Sequence, residues 1–507
     1  MCCYGGDKVK RIYKIVLAVS LMCLLLLLIF YISITGYGIA VPKPYDKYIK
    51  EDISQLPEKE IYEKDLNFIY EEIKNNYVNL EYKEKTFNFH WDDLYKKYKE
   101  ELKTIEREKE FYRLCSEFIS NLRDGHVYLG FNGDTGKKVR NFSDEILPAF
   151  DVRIIENKPI VVGAQKKFDI IGMEIVSIND ENFLSIVDKM TKYYYRGGND
   201  DSARNGILIS KYFYNYLSYF KDKYPRKLEI LLKDKEGKEK TISFNTNESF
   251  SSSAQEKDNN INFGFYEGDQ LPISKVINNV GYILIPTFNG DIKKIDDRFN
   301  KAVVELKNKK VKGVVLDVRY NGGGNQSFRD ILGYLTTKKL YINNYRFKKS
   351  ERFEDIYFLR TFYEDMRSRS SSNNKEEGYT KWWSWEVKPN KEQFLTTVPV
   401  VVLSNESIFS STDTFVNACL NNKLATVIGN MVPLSGNGLP TPIVLPSKKY
   451  ILSYGFMESR EVDFKYTENV VKEPNLKVIQ TLEDYYKGVD TQLNKAIEFI
   501  DLGSVKE

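Results

Sequence analysis

The chain is organised around the stretch PVVVLSNESIFSSTD, residues 399–413. Residues 400–403 form an apolar, β-branched run that ends in small polar residues, which is typical of a buried strand in a parallel sheet. The apolar spacing that follows predicts a helix over residues 411–421. Ser410 would then lie at the N-terminus of this helix, where free backbone N–H groups and the helix dipole favour a developing negative charge.

Two interpretations of Ser410 are open from these residues alone. It can be a nucleophile, because a helix N-terminus stabilises an oxyanion. It can also be an ordinary helix cap, because Ser410-x-x-Asp413 resembles a capping box with aspartate in the glutamate position. The rest of the chain has to decide between them.

The N-terminus indicates a membrane anchor. Residues 15–35 are almost all apolar and uncharged, long enough to cross a bilayer as a helix, and four basic residues precede them. We therefore predict a cytoplasmic N-terminus at 1–14, a transmembrane helix at 15–35, and an extracytoplasmic remainder. A cleaved signal peptide is the alternative, since residues 38–40 could form a cleavage site. Acylation of Cys2 and Cys3 stays open.

Composition excludes several classes of function. A net charge of +4 over 507 residues is too small to indicate nucleic-acid binding. Two histidines and five cysteines leave little material for a metal site, and three of the cysteines lie in or before the apolar segment, so no disulfide framework is implied. We therefore expect no metal and no cofactor.

The following residues predict three regions after a linker at 36–60. Three segments with helical periodicity indicate a helical subdomain at 61–146. Short strands broken by turns, with one helical passage near 207–220, occupy a β region at 147–262. Within it, residues 168–180 look like the second half of a PDZ domain, or equally like an ordinary hairpin with an Asn-Asp turn.

The third region, 263–507, predicts an α/β core. A strand at 280–287, a helix over 292–306 and a strand at 313–318 form a right-handed crossover unit of a parallel sheet. The second strand ends in DVRYNGGGN, residues 317–325. Three glycines there permit close backbone approach to a ligand. They match neither the Walker loop nor the dinucleotide-binding fingerprint, so a phosphate cofactor is not expected.

Two further features complete this region. Residues 340–397 form a charged insert with three tryptophans, which could be a lid or a surface loop. A C-terminal helix capped by Asp490 ends the domain.

Several spaced pieces together resemble the C-terminal-processing (tail-specific) protease family, and within it the branch similar to the tricorn protease core. They are Asp124-Gly125-His126, the PDZ-like stretch, Gly281-Tyr282-Ile283, Asp317-x-Arg319-x-Asn321-Gly322-Gly323-Gly324, Asn405 to Asp413, Ala425 to Gly429, and Glu468-Asn469 followed by Glu473-Pro474-Asn475. They span roughly residues 110 to 500, and their order and number make the resemblance specific.

The resemblance implies that Ser410 is the nucleophile of a peptidase. The N–H of Ser411 and one from the turn containing Gly322 and Gly323 would form the oxyanion hole. One branch of the family uses a lysine about 25 residues after the serine, but the matching positions here are Ser435 and Asn437.

The other branch uses a histidine, and His126 matches it, whereas His90 lies in the helical subdomain without a motif. Glu468 matches the acid that orients the histidine. In the tricorn pattern a serine precedes the histidine, but here that residue is Gly125.

The predicted function is therefore that of a membrane-anchored extracytoplasmic serine endopeptidase acting on polypeptides, with no nucleic-acid partner. One alternative is a non-catalytic extracellular peptide-binding protein with a vestigial site. A glycan hydrolase would need paired catalytic carboxylates, and no motif nominates them.

Overall fold

The structure is a computed structural model, and residues 1–42 and 43–507 form two compact units. It describes residues 17, 20–22, 24, 25, 45–49, 51–132, 150–195, 197, 199–209, 227–245, 255–257, 261–264, 270–356, 376–436 and 438–504. The predicted transmembrane helix at 15–35 thus lies largely outside the described residues. Among the residues that are described, no helix is long and apolar enough to cross a membrane. The finer domain boundaries drawn from the sequence stay predictions.

Residues 51–132 are mainly helical. The elements are α1 (Glu58–Asn76), α2 (Leu80–Phe87), α3 (Trp91–Leu102), α4 (Glu108–Ser120) and β1 (Tyr128–Phe131). Helices α1, α3 and α4 confirm the three periodic segments, and their apolar faces are buried against one another. Helix α2 was not predicted, because its only buried side chain is that of Lys83 and it therefore lacks an apolar stripe.

The next region is an antiparallel sheet with two helices. Its elements are β2 (Phe150–Ile155), β3 (Lys158–Gln165), β4 (Glu174–Ile178), β5 (Glu181–Asn182), α5 (Phe183–Thr191), α6 (Asp200–Ile209), β6 (Lys227–Lys233), β7 (Glu239–Asn245) and β8 (Gln255–Lys257). The strand order is β2-β3-β4-β6-β7, with β5 on β4 and β8 on β3.

The stretch compared with a PDZ domain contains a tight hairpin. Asn179 and Asp180 connect β4 to β5 with positive φ angles of 46° and 65°, as a type I′ turn requires. Helix α5 then packs into the core of this sheet. The hairpin is therefore present, and the resemblance to a PDZ domain stays a prediction. Of the helix predicted near 207–220, only the part within α6 lies among the described residues.

The remaining elements build the α/β core. They are β9 (Ile273–Ile277), β10 (Val280–Leu284), α7 (Ile292–Asn308), β11 (Val314–Asp317), α8 (Ser327–Gly333), β12 (Leu340–Phe347), β13 (Trp383–Val387), β14 (Val400–Ser404), α9 (Ser411–Asn421), β15 (Thr426–Gly429), β16 (Val432–Ser435), β17 (Pro440–Val444), β18 (Tyr450–Gly455), β19 (Met457–Arg460), β20 (Glu468–Lys472), β21 (Leu476–Lys477), α10 (Leu482–Tyr486) and α11 (Thr491–Ser504).

A six-stranded sheet organises this core, in the order β21-β15-β14-β11-β10-β9. All neighbours are parallel except β9, which runs antiparallel to β10. The predicted crossover from β10 through α7 to β11 is confirmed. Since the carboxyl ends of parallel strands lie at one edge, the turn after β11 and the turn after β14 come together there.

The insert at 340–397 differs from the prediction. Strands β12 and β13 pair antiparallel, and β12 also pairs with β19. Trp383 and Trp385 alternate along β13 and are buried. The described part of the insert is therefore a packed strand pair, neither a lid nor a loose surface loop; residues 357–375 are outside the described part.

The predicted C-terminal helix is confirmed as α11. Asp490 caps it by accepting the N–H of Leu493 at 3.0 Å. Asp490 also binds the buried guanidinium of Arg319, which contacts Asp317 at the end of β11. Two members of the 317–324 motif therefore form a buried ion network that joins the sheet to the last helix.

Candidate active site

Ser410 lies at the turn between β14 and α9. Its backbone has φ 59° and ψ −119°, a conformation with positive φ that residues other than glycine rarely adopt. Its side chain makes no capping hydrogen bond to the helix. Asp413 does not complete a capping box either, because its carboxylate accepts the N–H and the hydroxyl of Ser435. The cap interpretation of Ser410 is therefore wrong, and its hydroxyl is left available for other contacts.

The Ser410 turn is held from two sides. On one side, Phe409 donates its N–H to the carbonyl of Asn321 at 3.2 Å, which ties it to the glycine turn after β11. On the other, Ser410 donates its N–H to Ser435 Oγ at 3.0 Å, and Ser435 in turn binds Asp413. Burial raises the pKa of Asp413 to about 7, with the Ser435 hydrogen bonds opposing the shift.

His126 approaches Ser410 from the loop between α4 and β1. Its Nε2 lies 3.1 Å from Ser410 Oγ, and its side chain is buried. The ring of Phe409 stacks on the imidazole with centroids 4.5 Å apart. A Cβ on Gly125 would lie 2.8 Å from this ring, so the glycine that departs from the tricorn pattern makes room for Phe409.

Asp124 is the carboxylate that contacts the imidazole. Its Oδ1 lies 3.4 Å from His126 Nδ1 and accepts the His126 backbone N–H at 2.8 Å. Its Oδ2 accepts the hydroxyl of Tyr77 at 2.7 Å. Burial alone would raise the pKa of Asp124, but the contact with His126 and the charge of Lys83 outweigh burial and hold this pKa well below its usual range.

Glu468 does not make the predicted contact with His126 among the described residues. Its Oε1 lies 2.5 Å from the ammonium of Lys83, and both side chains are buried. Burial raises the pKa of Glu468 to about 8, and Lys83 opposes the shift. A Cβ on Gly436 would lie 2.1 Å from Glu468 Oε2, so only a glycine allows the loop after β16 to pass this close to the carboxylate. The physical reason for the difference is that Lys83 competes for Glu468.

The glycine turn lies against the serine, as predicted. A Cβ on Gly323 would be 2.9 Å from Ser410 Cβ and 3.0 Å from Ser411 N, and its φ is 91°. The N–H of Gly323, however, is donated to Asn321 Oδ1 at 2.9 Å. Gly323 thus provides the close approach, while its N–H is used elsewhere. In the described part of the chain, the backbone N–H groups of Ser411 and Gly322 donate no such hydrogen bond.

Neither position that matches the catalytic lysine of the other branch supplies a base. Ser435 bonds to the backbone N–H of Ser410, and Asn437 lies outside the described residues. Among the described residues, no cluster of histidine, cysteine and acidic side chains is arranged to hold a metal ion. The chemistry that the described side chains can perform is proton transfer between Ser410 and His126.

Sequence reasoning missed three members of this site. Asp124 belongs to the quoted motif with His126, and its spacing two residues before the histidine was the available signal. Asp413 was considered only as part of a cap. Lys83 gave no signal, because a lone lysine in a charged segment is usually solvated and here it is fully buried.

The similarity of this chain to known proteins agrees with this geometry. Residues 279–478 match the family model of peptidase family S41. This match confirms the resemblance to the C-terminal-processing proteases. The chain is a serine-type peptidase, and its Ser410 element, glycine turn and parallel sheet all lie within or beside the matched residues.

Several solved structures are similar to this chain. Mature CPAF is 15% identical, with 87% of this chain and 96% of that chain covered and a TM-score of 0.63. The photosystem II D1 C-terminal processing protease is 14% identical, with coverage of 84% and 94% and a TM-score of 0.42. The tricorn protease is 16% identical, with coverage of 87% and 37% and a TM-score of 0.40. No curated protein matches the sequence. The likeness to mature CPAF extends the shared fold beyond the residues that match the family model.

Proposed function

We propose that this S41 chain is a membrane-anchored, extracytoplasmic serine endopeptidase that cleaves polypeptides through an acyl-enzyme on Ser410. The observation that carries the proposal is the 3.1 Å distance between His126 Nε2 and Ser410 Oγ. A serine hydroxyl is a weak nucleophile until a base within hydrogen-bond reach accepts its proton. The same distance argues against a vestigial, peptide-binding site.

The reaction follows from the two side chains. His126, neutral and protonated on Nδ1, accepts the Ser410 proton at Nε2 while Oγ bonds to the substrate carbonyl carbon. The imidazolium then gives this proton to the leaving amine as the peptide C–N bond breaks, which leaves an ester on Ser410. Water hydrolyses the ester by the same steps with water as the nucleophile.

The oxyanion formed in each step needs donors beside Ser410. The N–H of Ser411, the first residue of α9, is directed out of the helix N-terminus. A second N–H comes from the glycine turn, and Gly322 supplies it, because Gly323 N–H is already donated to Asn321. The Ser411 hydroxyl donates to the carbonyl of Gly324 at 2.8 Å and so fixes the two donors relative to each other.

Asp124 is the acid that orients His126 in this proposal. Its carboxylate lies beside Nδ1 and remains ionised, so it stabilises the imidazolium that forms during the reaction. The 3.4 Å distance is long for a hydrogen bond, as catalytic contacts often are before substrate binds. Glu468 lies near Asp124 but does not orient His126 in this proposal.

We propose that the PDZ-like β region selects unfolded or C-terminal peptide tails by pairing a peptide with a strand edge. Strands β2 and β7 lie at the two ends of its main path. Deleting residues 147–244 should change the preference among peptides. Reaction of Ser410 with a small probe reports whether the core of the deletion variant is still folded. An unchanged preference in a reactive variant removes this role.

The cellular location is proposed from the apolar residues 15–35 and the basic residues before them. Protease added to intact cells should degrade the large part of the chain, and protection until lysis contradicts this topology. Membrane extraction with detergent but not with high salt separates a spanning anchor from electrostatic attachment.

Labelling with a fluorophosphonate tests the proposed chemistry. The probe should modify the wild-type protein on Ser410 and leave Ser410→Ala unmodified. Ser407→Ala is the matched control, because Ser407 lies on the same turn and its hydroxyl has no hydrogen-bond partner in the described part of the chain. Equal labelling of wild type and Ser410→Ala would overturn the assignment of the nucleophile.

A further inference from the structure

Ser435 is a buried serine, the last residue of β16, that the proposed reaction does not use. Its hydroxyl oxygen accepts the backbone N–H of Ser410 at 3.0 Å, and its hydroxyl proton is donated to Asp413 Oδ2. Its own backbone N–H donates to the same carboxylate oxygen at 3.0 Å. Because the N–H of Ser410 can only donate, the Ser435 hydroxyl is held in one orientation between the two residues.

The strand that carries Ser435 is held by its own hydrogen bonds. Strand β16 pairs antiparallel with β20, and Ser435 lies opposite Glu468 in this pair. The next residue, Gly436, donates its N–H to the carbonyl of Thr467 at 2.8 Å. Helix α9 packs against the same strand. Ser435 therefore reaches the Ser410 turn from a separate element, and a side chain on a strand is placed more precisely than one on a loop.

The contacts of Ser435 replace those of an ordinary helix cap. In a capping box, the hydroxyl of the first residue accepts the N–H of the residue three positions later, and the acidic side chain of that residue accepts the N–H of the first. Ser410 and Asp413 have this spacing at the start of α9, but the Ser410 side chain makes no cap. The Ser435 hydroxyl lies between them instead and contacts both. The helix start is thus joined to Asp413 through a third residue, and Ser410 Oγ is left for His126.

This arrangement bears on the backbone conformation of Ser410. An ordinary cap residue has an extended backbone, whereas Ser410 has φ 59° and ψ −119°. Such a strained conformation persists only where the surroundings fix it. The N–H of Ser410 is held by Ser435, and its carbonyl accepts the N–H of Thr414 at 3.1 Å. Both peptide planes that flank the Ser410 Cα are therefore held, in the conformation that places Oγ 3.1 Å from His126 Nε2.

We propose that Ser435 is a positioning residue for the nucleophile: its hydroxyl takes the place of a direct cap between Ser410 and Asp413 and so holds Ser410 with Oγ facing His126. The inference rests on the proposed function, since it concerns the same nucleophile. Ser435 contacts the backbone of Ser410, so it acts through that residue and not as an acid or base.

A purely structural role for Ser435 has a different signature. If its hydrogen bonds only stabilised the fold, Ser435→Ala would lower the free energy of unfolding and leave the folded protein fully active. In the positioning role, Ser410 and Asp413 of this variant should cap the helix directly, and Oγ should turn away from His126. We then expect kcat to fall while KM is unchanged, because the lost arrangement serves the chemical step and not the binding of the peptide.

The experiment compares four full-length proteins: the wild type, Ser435→Ala, Ser435→Thr and the control Ser404→Ala. Ser404 is buried on β14, and its hydroxyl donates to the carbonyl of Met431 at 3.0 Å. The control therefore removes a buried hydroxyl and a hydrogen bond to the backbone without touching the N–H of Ser410. Hydrolysis of fluorescein-labelled casein gives kcat and KM, and a fluorophosphonate gives the rate of Ser410 modification. Denaturant unfolding gives the stability of the same samples.

We expect Ser435→Ala to lose about a hundredfold in kcat and in labelling rate, with KM within about twofold of wild type. Ser435→Thr keeps the hydroxyl and should recover about tenfold or more of this loss. Ser404→Ala should keep wild-type rates even where its stability falls as much as that of Ser435→Ala.

Three results overturn the proposal. They are wild-type kcat in folded Ser435→Ala, an equal loss of kcat in Ser435→Ala and Ser404→Ala, and a folded Ser435→Thr as slow as Ser435→Ala. If the added methyl group prevents Ser435→Thr from folding, the comparison of the two alanine variants still decides. A wild-type protein that neither hydrolyses casein nor reacts with the probe overturns the proposed function together with this inference. A reactive wild type with an equally reactive Ser435→Ala overturns this inference alone.

Discussion

Asp124 lies two residues before His126 and contacts its imidazole, whereas Glu468 contacts Lys83. Asp124→Asn should therefore lower kcat by about 10³-fold to 10⁴-fold, because the imidazole loses the charge that orients it and stabilises its protonated form. Glu468→Gln should lower kcat much less. Steady-state hydrolysis of a peptide substrate measures both, with thermal unfolding as the control for folding. A larger loss in Glu468→Gln than in Asp124→Asn would contradict this assignment of the acid.

Asp413 makes stability depend on pH. Burial raises its pKa from 3.8 to about 7, so the folded protein holds a proton that the unfolded chain releases between these values. Its contribution is fully present below about pH 4 and is lost as pH rises through about 7. The free energy of unfolding should therefore fall by up to about 1.4 kcal/mol per pH unit in this window from this one group.

Asp413→Asn isolates that contribution. Glu468 shifts in the same direction, so the wild type alone does not separate the two groups. Denaturant unfolding of wild type and variant at several pH values gives the difference in slope. Identical slopes from about pH 4 to about pH 7 would show that Asp413 is ionised in the folded protein.

At the scale of elements, the glycine turn after β11 is required for the serine turn after β14. Gly323 has φ 91°, and a Cβ there would lie 2.5 Å from the carbonyl oxygen of Phe409. Gly323→Ala should therefore displace the Ser410 turn and lower the rate of fluorophosphonate labelling by about a hundredfold or more. Gly378→Ala is the matched control, since Gly378 has φ 80° but no atom within 4 Å of an added Cβ.

The two glycine variants distinguish the effect of a steric clash from the effect of backbone strain. Both place alanine at a positive φ, so both should lose stability through backbone strain. Only Gly323→Ala adds a clash beside Ser410. Equal labelling rates in the two variants would mean that the close approach of the turn is not needed.

Elements with strong local patterns were predictable from the sequence. The apolar run of β14 and the apolar face of α9 set the Ser410 turn, and the crossover through α7 followed from the 292–306 spacing. The alternation of Trp383 and Trp385 was a strand signal inside the insert, but the high charge of the segment obscured it. Helix α2 was not predicted because its buried side chain is a lysine, whereas helical periodicity is recognised from apolar residues.

The charge relations of the site could not be predicted in the same way. Resemblance supplied Ser410 and His126, and the structure brings their side chains together. The resemblance also supplied Glu468. Whether this carboxylate faces a histidine or a lysine, however, depends on the docking of α2 beside β20. No local pattern encodes that docking, because Lys83 and Glu468 are 385 residues apart in sequence.

At the scale of the whole molecule, the helical region has to dock on the core before the site exists, because His126 follows α4 and Ser410 belongs to the core. Glu72 on α1 is buried at this junction, where it accepts two hydrogen bonds from Arg352 and one of 2.6 Å from Tyr454. Removing one partner of a buried ion pair leaves an uncompensated charge.

Glu72→Ala should therefore lower the free energy of unfolding by about 3 kcal/mol or more. Glu71→Ala, at the neighbouring exposed position of α1, should change it by less than about 1 kcal/mol. Denaturant unfolding measures both variants. A loss in Glu72→Ala no larger than in Glu71→Ala would mean that this ion pair does not hold the helical region to the core.

The most direct test of the Ser410 and His126 pair uses the two histidines of the chain. Peptide hydrolysis should be nearly abolished in His126→Ala, with kcat lowered by about 10⁴-fold or more and the fold retained, because no other described side chain lies within reach of Ser410 Oγ to accept its proton. His90→Ala, which changes an exposed histidine at the start of α3, should keep wild-type kcat. Full hydrolysis by folded His126→Ala would contradict the mechanism.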